Sequence, residues 1–264
     1  MNALEEEVPL TGGGRTVVSR RGAVVFRAAG PWSGTVISLL RHLEGASFTG
    51  APRVIGTGFD DQGRETLSFI EGDFVHPGPW VDDGVFKIGE MLRDLHEATA
   101  SFELPSDAVW RPWFGRNLGG QRLVLGHCDT GPWNIVAQNG LPIAFIDWEE
   151  AGPVDRDFEL AQACWLNAQL HDDDIAERVG LPPATARAKQ MRYLLDGYGL
   201  SKSERVGFVD KMIAFAVHDA ADQAIAHRVT PDSTDAEPLW MITWRVRSAN
   251  WMLYNRSTLE LALG

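Results

Sequence analysis

Short apolar and β-branched runs recur through residues 1–70 and are separated by turn residues. The runs that predict strands cover residues 8–10, 16–19, 23–26, 53–55 and 66–70. Between the third and fourth runs, Val36, Ile37, Leu40 and Leu43 recur at helical spacing shortly after Pro31. The pattern therefore predicts a small, β-rich lobe that contains one helix.

From residue 82 onward the pattern becomes mostly helical. Val85, Ile88, Leu92 and Leu95 form one apolar stripe, as expected for a helix packed on a core. Further helices are predicted over residues 159–170, 183–198, 204–228 and 239–261, with a polar, proline-containing interruption at 231–238. We therefore expect an α+β fold with two lobes, a β-rich lobe at 1–70 and a helical lobe at 71–264.

The densest candidate chemistry lies in the segment that follows residues 122–126, an apolar run that predicts a buried strand. His127, Asp129 and Asn134 follow this strand at the spacing H-x-D-x4-N, and Asp147 comes thirteen residues after Asn134. In a phosphoryl-transfer site, the first aspartate accepts the proton of the attacking hydroxyl. The asparagine and the second aspartate would hold the magnesium ion that bridges the nucleotide phosphates.

A hairpin would bring the two proposed metal ligands together. Asn139-Gly140 separates the apolar residues 135–137 from 142–146, and Asn-Gly between apolar runs is a strong hairpin signal. Such a hairpin folds Asp147 back toward Asn134. One carboxylate and one amide oxygen suffice for magnesium, because this ion keeps several waters and binds substrate phosphates.

These residues resemble the aminoglycoside phosphotransferase and choline-kinase-like family, whose fold is that of protein kinases. The resemblance rests on the His127 to Asn134 motif, on Ile146-Asp147-Trp148, and on Ala151-Gly-Pro153 leading to Glu159-Leu-Ala161. It spans roughly residues 10–165, and the last hundred residues carry no alignable motif. It implies that Asp129 is the catalytic base, that Asn134 and Asp147 bind Mg²⁺, and that ATP is the phosphate donor. A family branch sharing Ala29-Gly-Pro-Trp32 is labelled with antibiotic resistance or peptide-antibiotic immunity.

Two segments of the small lobe are candidate nucleotide contacts. Gly13 and Gly14 lie between the first two predicted strands, where backbone N–H groups can approach phosphates. A flexible turn is the equal alternative for these glycines. Residues 67–72 resemble the family's link between the lobes, and from that likeness Phe69 and Ile70 are predicted to contact the nucleotide.

The small lobe lacks the lysine that the family places on its third strand. Lys87 is the first lysine of the chain, and Arg27 occupies the expected place. The following helix has no glutamate before Glu44, which stands at its end. Two interpretations stay open: Arg27 binds phosphate without an ion-pair partner, or the nucleotide site is degraded. Retention of Asp129, Asn134 and Asp147 favours the first.

Several polar residues near the motif have both a structural and a chemical interpretation. The acidic run that includes Glu149, Glu150 and Asp155 is either a solvated face or a rim for a cationic acceptor. Glu159 stands where the family has an aspartate that braces the catalytic loop. His127 is expected to brace the loop, and Cys128 is expected to be inert because a neighbouring carboxylate raises a thiol pKa.

The composition narrows the class of protein. A net charge of −12 disfavours nucleic-acid binding and suits a cationic small-molecule acceptor. The chain has two cysteines, an acidic start without a signal-peptide pattern, and no run long enough to span a membrane, so we expect a cytoplasmic protein.

We therefore expect an ATP- and Mg²⁺-dependent phosphotransferase that acts on a hydroxyl of a small molecule. An aminoglycoside or another amine-bearing antibiotic is the expected acceptor, by family analogy. The alternatives are an immunity protein that sequesters an antibiotic without catalysis, and a kinase for Ser or Thr of a small peptide. The missing small-lobe lysine favours sequestration, and the retained motif residues favour chemistry.

Overall fold

The structure is a computed structural model that describes residues 6–10, 18–120 and 122–264. Its first part is a five-stranded antiparallel sheet in the order β1-β2-β3-β5-β4. The strands are β1 (Val8–Pro9), β2 (Val18–Arg21), β3 (Val24–Arg27), β4 (Val54–Phe59) and β5 (Glu65–Ser68). All five predicted strands are therefore present within one or a few residues, except that 16–17 lie outside the described residues.

One helix, α1 (Ser33–Gly45), follows β3 and packs beside this sheet. The residues that predicted it, Val36, Ile37, Leu40 and Leu43, are all buried. A polar pair also enters this interface, because Ser33 donates its hydroxyl hydrogen to the buried carboxylate of Glu65 on β5. Glu65 stands directly opposite Arg27 in the strand register, which places an acidic group beside the residue predicted to replace the lysine.

The link between the lobes is fixed to the large lobe by backbone pairing. Asp73 and Ala137 exchange two N–H···O bonds of 2.8 Å each. Gly72 lies so close to this pair that a Cβ there would overlap the carbonyl oxygen of Ala137. Gln138 adds a side-chain bond of 3.0 Å to the carbonyl oxygen of Glu71.

The large lobe begins with α2 (Asp82–Thr99), whose predicted stripe is buried and which packs closely against α5 (Ala184–Tyr198). Two glycines allow the close approach of these helices. A Cβ on Gly89 would overlap the carbonyl oxygen of Leu194, and one on Gly197 would overlap that of Phe86. The two backbones therefore pack against each other without side chains between them.

Two antiparallel pairs of strands lie between these helices in the chain. β6 (Leu123–Gly126) pairs with β9 (Gly152–Asp155), and β7 (Ile135–Gln138) pairs with β8 (Leu141–Phe145). The second pair is the predicted hairpin, and Asn139 and Gly140 have positive φ values of 53° and 75°, as a type I′ turn requires. β9 was not predicted, and β6, which was predicted as a buried strand, is only partly buried.

The remaining helices are α3 (Arg156–Asn167), α4 (Asp173–Arg178), α6 (Phe208–Ala226), α7 (Ala236–Tyr254) and α8 (Arg256–Leu263). Two predicted helices were too long. Gly207, with a φ of 73°, separates α6 from a 3-10 turn at Lys202–Arg205, and Asn255 separates α7 from α8. Asp172 caps the short α4 by accepting the Ile175 N–H at 3.1 Å. Within the described ranges, no helix is both long and apolar enough to cross a membrane.

Candidate active site

The loop after β6 carries His127 and Asp129, and hydrogen bonds to buried polar groups hold it in place. His127 accepts a bond of 3.3 Å from the Asp129 N–H at Nδ1, which leaves Nε2 to donate to the carbonyl oxygen of Ile146 at 2.9 Å. Burial lowers the pKa of His127, so the ring is neutral. These bonds agree with the bracing role expected for this residue.

Glu159, on α3, is fully buried and supports the same loop. Its Oε1 accepts from the Cys128 N–H at 2.8 Å, and its Oε2 lies 2.6 Å from Nε2 of His96. Burial alone would raise the pKa of Glu159, but the His96 ring and the Cys128 N–H lower it, so the group is ionised. A glutamate therefore performs the bracing that the family assigns to an aspartate. Burial also raises the pKa of the Cys128 thiol, as expected for an inert cysteine.

Asp129 and Asn134 are in direct contact. The Asn134 amide nitrogen donates to the Asp129 carboxylate at 2.8 Å and to its carbonyl oxygen at 3.1 Å. The amide nitrogen is thereby used on Asp129, so the amide oxygen is the atom that can bind a metal. One contact thus orients both the proposed base and one proposed metal ligand.

The Asp129 carboxyl has the protonation behaviour of a general base at neutral pH. Burial, together with the charges of Asp147, Glu150 and Asp219, raises its pKa from the ordinary 3.8 to about 7 against the opposing bond from Asn134. A base with a pKa near the working pH combines a large deprotonated fraction with useful basicity. Asp129 is therefore suited to take a proton from a hydroxyl.

Asp147 is returned to Asn134 by the β7–β8 hairpin, as the sequence predicts. The Ile146 N–H donates to the Asn134 carbonyl oxygen at 2.9 Å, directly before Asp147. Asp147 has a left-handed backbone, with φ 63° and ψ 64°, an uncommon conformation for a residue other than glycine. Its side chain keeps 41% exposure and points at the small lobe, where it meets Arg27.

Arg27 extends from β3 to the large lobe and forms two ion pairs where the lobes meet, a place called the crevice below. Its Nη1 lies 2.6 Å from Oδ1 of Asp147, and its Nη2 contacts Oε2 of Glu149. Burial alone would lower the Arg27 pKa, but Asp147, Glu149 and Glu65 raise it. The expectation that Arg27 has no ion-pair partner was wrong, because its partners lie in the other lobe, far away in sequence.

The other predicted nucleotide contacts can be placed only in part. Gly13 and Gly14 lie outside the described residues. Phe69 and Ile70 are half-buried in the link, where the Phe69 N–H donates to the Ala23 carbonyl oxygen at 2.8 Å. The guanidinium carbon of Arg20 lies 3.6 Å from the centroid of the Phe69 ring.

The acidic run after Asp147 is not a solvated face, because its members are engaged within the protein. Glu149 contacts Arg111 as well as Arg27, and Glu150 lies 3.3 Å from Nε of Arg111. Asp155, predicted as an acceptor contact, instead caps α3 by accepting the N–H groups of residues 157 and 158. It stands at the end of β9 away from the catalytic loop, because it pairs with Leu123 whereas Gly152 pairs with Gly126.

Asp219 and Arg245 are polar residues near the base that sequence reasoning missed. Asp219 on α6 is 8% exposed, and its Oδ2 lies 2.7 Å from Nε of Arg245 on α7. Burial raises the pKa of Asp219, and the charge of Asp219 in turn raises the pKa of Asp129. The sequence signal that could have identified Asp219 was its acidic side chain within the mostly apolar helix α6.

The donor set suits magnesium. Asn134 offers an amide oxygen, and Asp147 offers a carboxylate. The backbone hydrogen bond between residues 134 and 146 holds the two segments that carry them together. Across the described ranges, no group of three or more His, Cys, Asp or Glu side chains could hold a metal ion. A closed protein cage is thus lacking there, and the set fits an ion whose remaining ligands are water and phosphate.

Solved structures with a similar architecture include kinases of small molecules. The microcompartment-associated aminopropanol kinase matches with a TM-score of 0.66 and 13% identity, over 98% of this chain and 95% of that one. Choline kinase from Cryptosporidium parvum Iowa II gives 0.63 and 12%, over 99% and 93%. The GDP complex of aminoglycoside 2'-phosphotransferase-IIIa gives 0.62 and 14%, over 97% and 94%. At these identities the likeness establishes the protein-kinase-like fold, with its small β-rich and larger helical lobes.

Sequence comparison defines the class more closely. Residues 106–189 match the model of the phosphotransferase enzyme family, a segment that contains the whole motif from His127 to Asp147. The chain belongs to this family. A trifolitoxin immunity protein of Rhizobium leguminosarum bv. trifolii is 68% identical over 260 residues, which are 98% of this chain and 100% of that protein.

Proposed function

We propose that the protein transfers the γ-phosphate of ATP to a hydroxyl of a small molecule and thereby confers immunity to an antibiotic. The observation that carries the proposal is the Asp129 carboxylate. It is oriented by Asn134 at 2.8 Å, its pKa is about 7, and it stands beside Asp147 in a crevice that a small-lobe arginine enters.

In this mechanism, Asp129 accepts the proton of the acceptor hydroxyl as the phosphoryl group is transferred. Asn134 keeps the carboxylate aimed through its amide nitrogen and binds Mg²⁺ through its amide oxygen, together with Asp147. Magnesium, when bound, neutralises charge that develops on the phosphates. Arg27 contacts the phosphates from the small lobe, and His127 and Glu159 keep the loop in place.

The acceptor is proposed to carry a cationic group next to its hydroxyl. Three carboxylates, those of Asp147, Glu150 and Asp219, act electrostatically on Asp129, and this arrangement favours a cationic group on the acceptor. One structural neighbour is a gentamicin complex of a related phosphotransferase, and the 68% identical relative confers immunity to trifolitoxin by its name. Trifolitoxin and gentamicin are therefore the first two acceptors to test.

Sequestration without catalysis is the second candidate, and the Arg27–Asp147 ion pair favours it. Asp147 is already neutralised at 2.6 Å by a cation of the protein, which opposes metal binding. An immunity protein of this kind would bind the antibiotic tightly and would respond to no nucleotide.

Calorimetry and a transfer assay separate these functions. ATP and GTP are titrated with and without magnesium, and γ-phosphate transfer is then measured with each acceptor. We expect magnesium-dependent ATP binding, and a rate reduced by about 10²-fold or more in Asp129→Asn. Asp61→Asn, at an exposed turn position, is the matched control and should keep full activity. Tight antibiotic binding without any nucleotide response would instead establish sequestration.

A further inference from the structure

Glu149 is bound by two arginines, one at each carboxylate oxygen. Its Oε2 contacts Arg27 and its Oε1 contacts Arg111. The Glu149 side chain is only 15% exposed, so water competes little for it. Arg111 in turn lies over the Trp32 ring, with 5.0 Å between its guanidinium carbon and the ring centroid. Glu149 is therefore held in one direction, toward β3.

Arg27 divides its guanidinium between Glu149 and the proposed metal ligand Asp147. A planar guanidinium has separate donors and can hold two carboxylates at once. A divalent cation bound to Asp147 would lie close to the guanidinium of Arg27, because both would contact the same carboxylate. Two positive charges at that separation repel strongly in a partly buried site. Arg27 must therefore release Asp147 when the metal binds, yet stay in the crevice.

The described small lobe offers Arg27 no comparable ion pair. Helix α1 has no glutamate before Glu44, which stands at its C-terminal end. Glu65 lies opposite Arg27 on β5 and raises its pKa, but the Glu65 carboxylate accepts a hydrogen bond from the Ser33 hydroxyl and forms no ion pair with Arg27. Glu149, from the large lobe, is thus the carboxylate that can keep Arg27 after Asp147 is withdrawn.

We propose that Glu149 is a positioning residue that draws Arg27 away from Asp147 and so makes Asp147 available to magnesium and nucleotide. The inference rests on the proposed function, because it concerns binding of the magnesium–nucleotide complex. In protein kinases, a glutamate of the small-lobe helix pairs with the lysine of the third strand. Glu149 would take the place of that glutamate, and its contact would join the two lobes. The acceptor-rim role expected for Glu149 from the sequence is replaced by a role in the nucleotide site.

Calorimetric titration with ADP at a series of magnesium concentrations tests this role without any catalytic turnover. For Glu149→Gln we expect the half-saturating magnesium concentration to rise about tenfold, as loss of a group that orients a metal ligand does. Affinity for ADP in the absence of metal should not weaken, because the substitution removes a negative charge from the phosphate site. Glu149→Asp, which keeps the charge, should recover part of the magnesium response.

Two comparisons distinguish positioning from a direct charge effect or a general loss of structure. In an Arg27→Ala background, Glu149→Gln should leave the magnesium requirement unchanged, because Glu149 acts through Arg27. Glu7→Gln is the matched control, since Glu7 also joins two arginines, Arg21 and Arg64, each at 2.6 Å. It should leave ADP and magnesium binding at wild-type values.

The outcomes that overturn the inference are distinct from those that overturn the proposed function. Wild-type protein that binds no nucleotide rejects the proposed function and this inference with it. Wild-type binding with an unchanged magnesium requirement in Glu149→Gln and Glu149→Asp rejects the inference alone. An equal rise in the magnesium requirement with and without Arg27 also rejects it, because Glu149 would then act directly on the metal.

Discussion

The raised pKa of Asp129 predicts that the fold becomes less stable as its proposed base ionises. The unfolded chain releases this proton near the ordinary pKa of 3.8, whereas the folded protein holds it to about 7. Between these values the folded state binds more protons than the unfolded state, so stability falls as pH rises. Each pH unit in this window costs about 1.4 kcal/mol, and the full window costs about 4 kcal/mol.

Asp129→Asn removes this titration and keeps an oxygen that can accept from Asn134. Urea unfolding at pH values from 5 to 8 should show that wild type loses stability relative to Asp129→Asn by up to about 3 kcal/mol. Comparison with the variant cancels the titration of other groups, and Asp61→Asn, an exposed position, should follow wild type. Parallel curves for wild type and Asp129→Asn would refute a raised pKa at this carboxyl.

Three further predictions concern rate and packing. The rate of phosphoryl transfer should rise with pH to a plateau above about 7, because Asp129 acts in its deprotonated form. Measuring the initial rate at a series of pH values tests this. Glu159→Gln should cost about 3 kcal/mol in urea unfolding, since it removes one partner of a buried pair with His96, whereas exposed Glu97→Gln should cost little. Gly89→Ala should lower the stability of the fold by about 1–3 kcal/mol, because the new Cβ meets the backbone of α5. Gly34→Ala, with open space around it, should stabilise α1 by up to about 1 kcal/mol, and thermal unfolding of the two variants compares these effects.

Local signals predicted the parts of the fold that depend on nearby residues. Asn139-Gly140 specified a tight turn by backbone preference alone, and the structure confirms the positive φ values. The stripe from Val85 to Leu95 specified the buried face of α2 in the same way. The helix boundaries at Gly207 and Asn255 were missed because the apolar period continues across them.

Partners distant in the chain could not be read from the sequence. Arg27 meets Asp147 and Glu149 more than a hundred residues later, and no local pattern encodes that contact. Asp219 was likewise hidden, because its relation to Asp129 depends on how α6 packs against α3. The resemblance placed the motif residues, but tertiary packing determines which charges surround them.

The pairing of Asp73 with Ala137 determines where the two lobes can bend. Both backbone bonds would have to break before Asp73 could move away from the large lobe, so a rotation of the small lobe about the link would have to occur upstream of Asp73. Such a rotation would change the distance between Arg27 on β3 and Asp147 in the large lobe, which are joined by an ion pair of 2.6 Å.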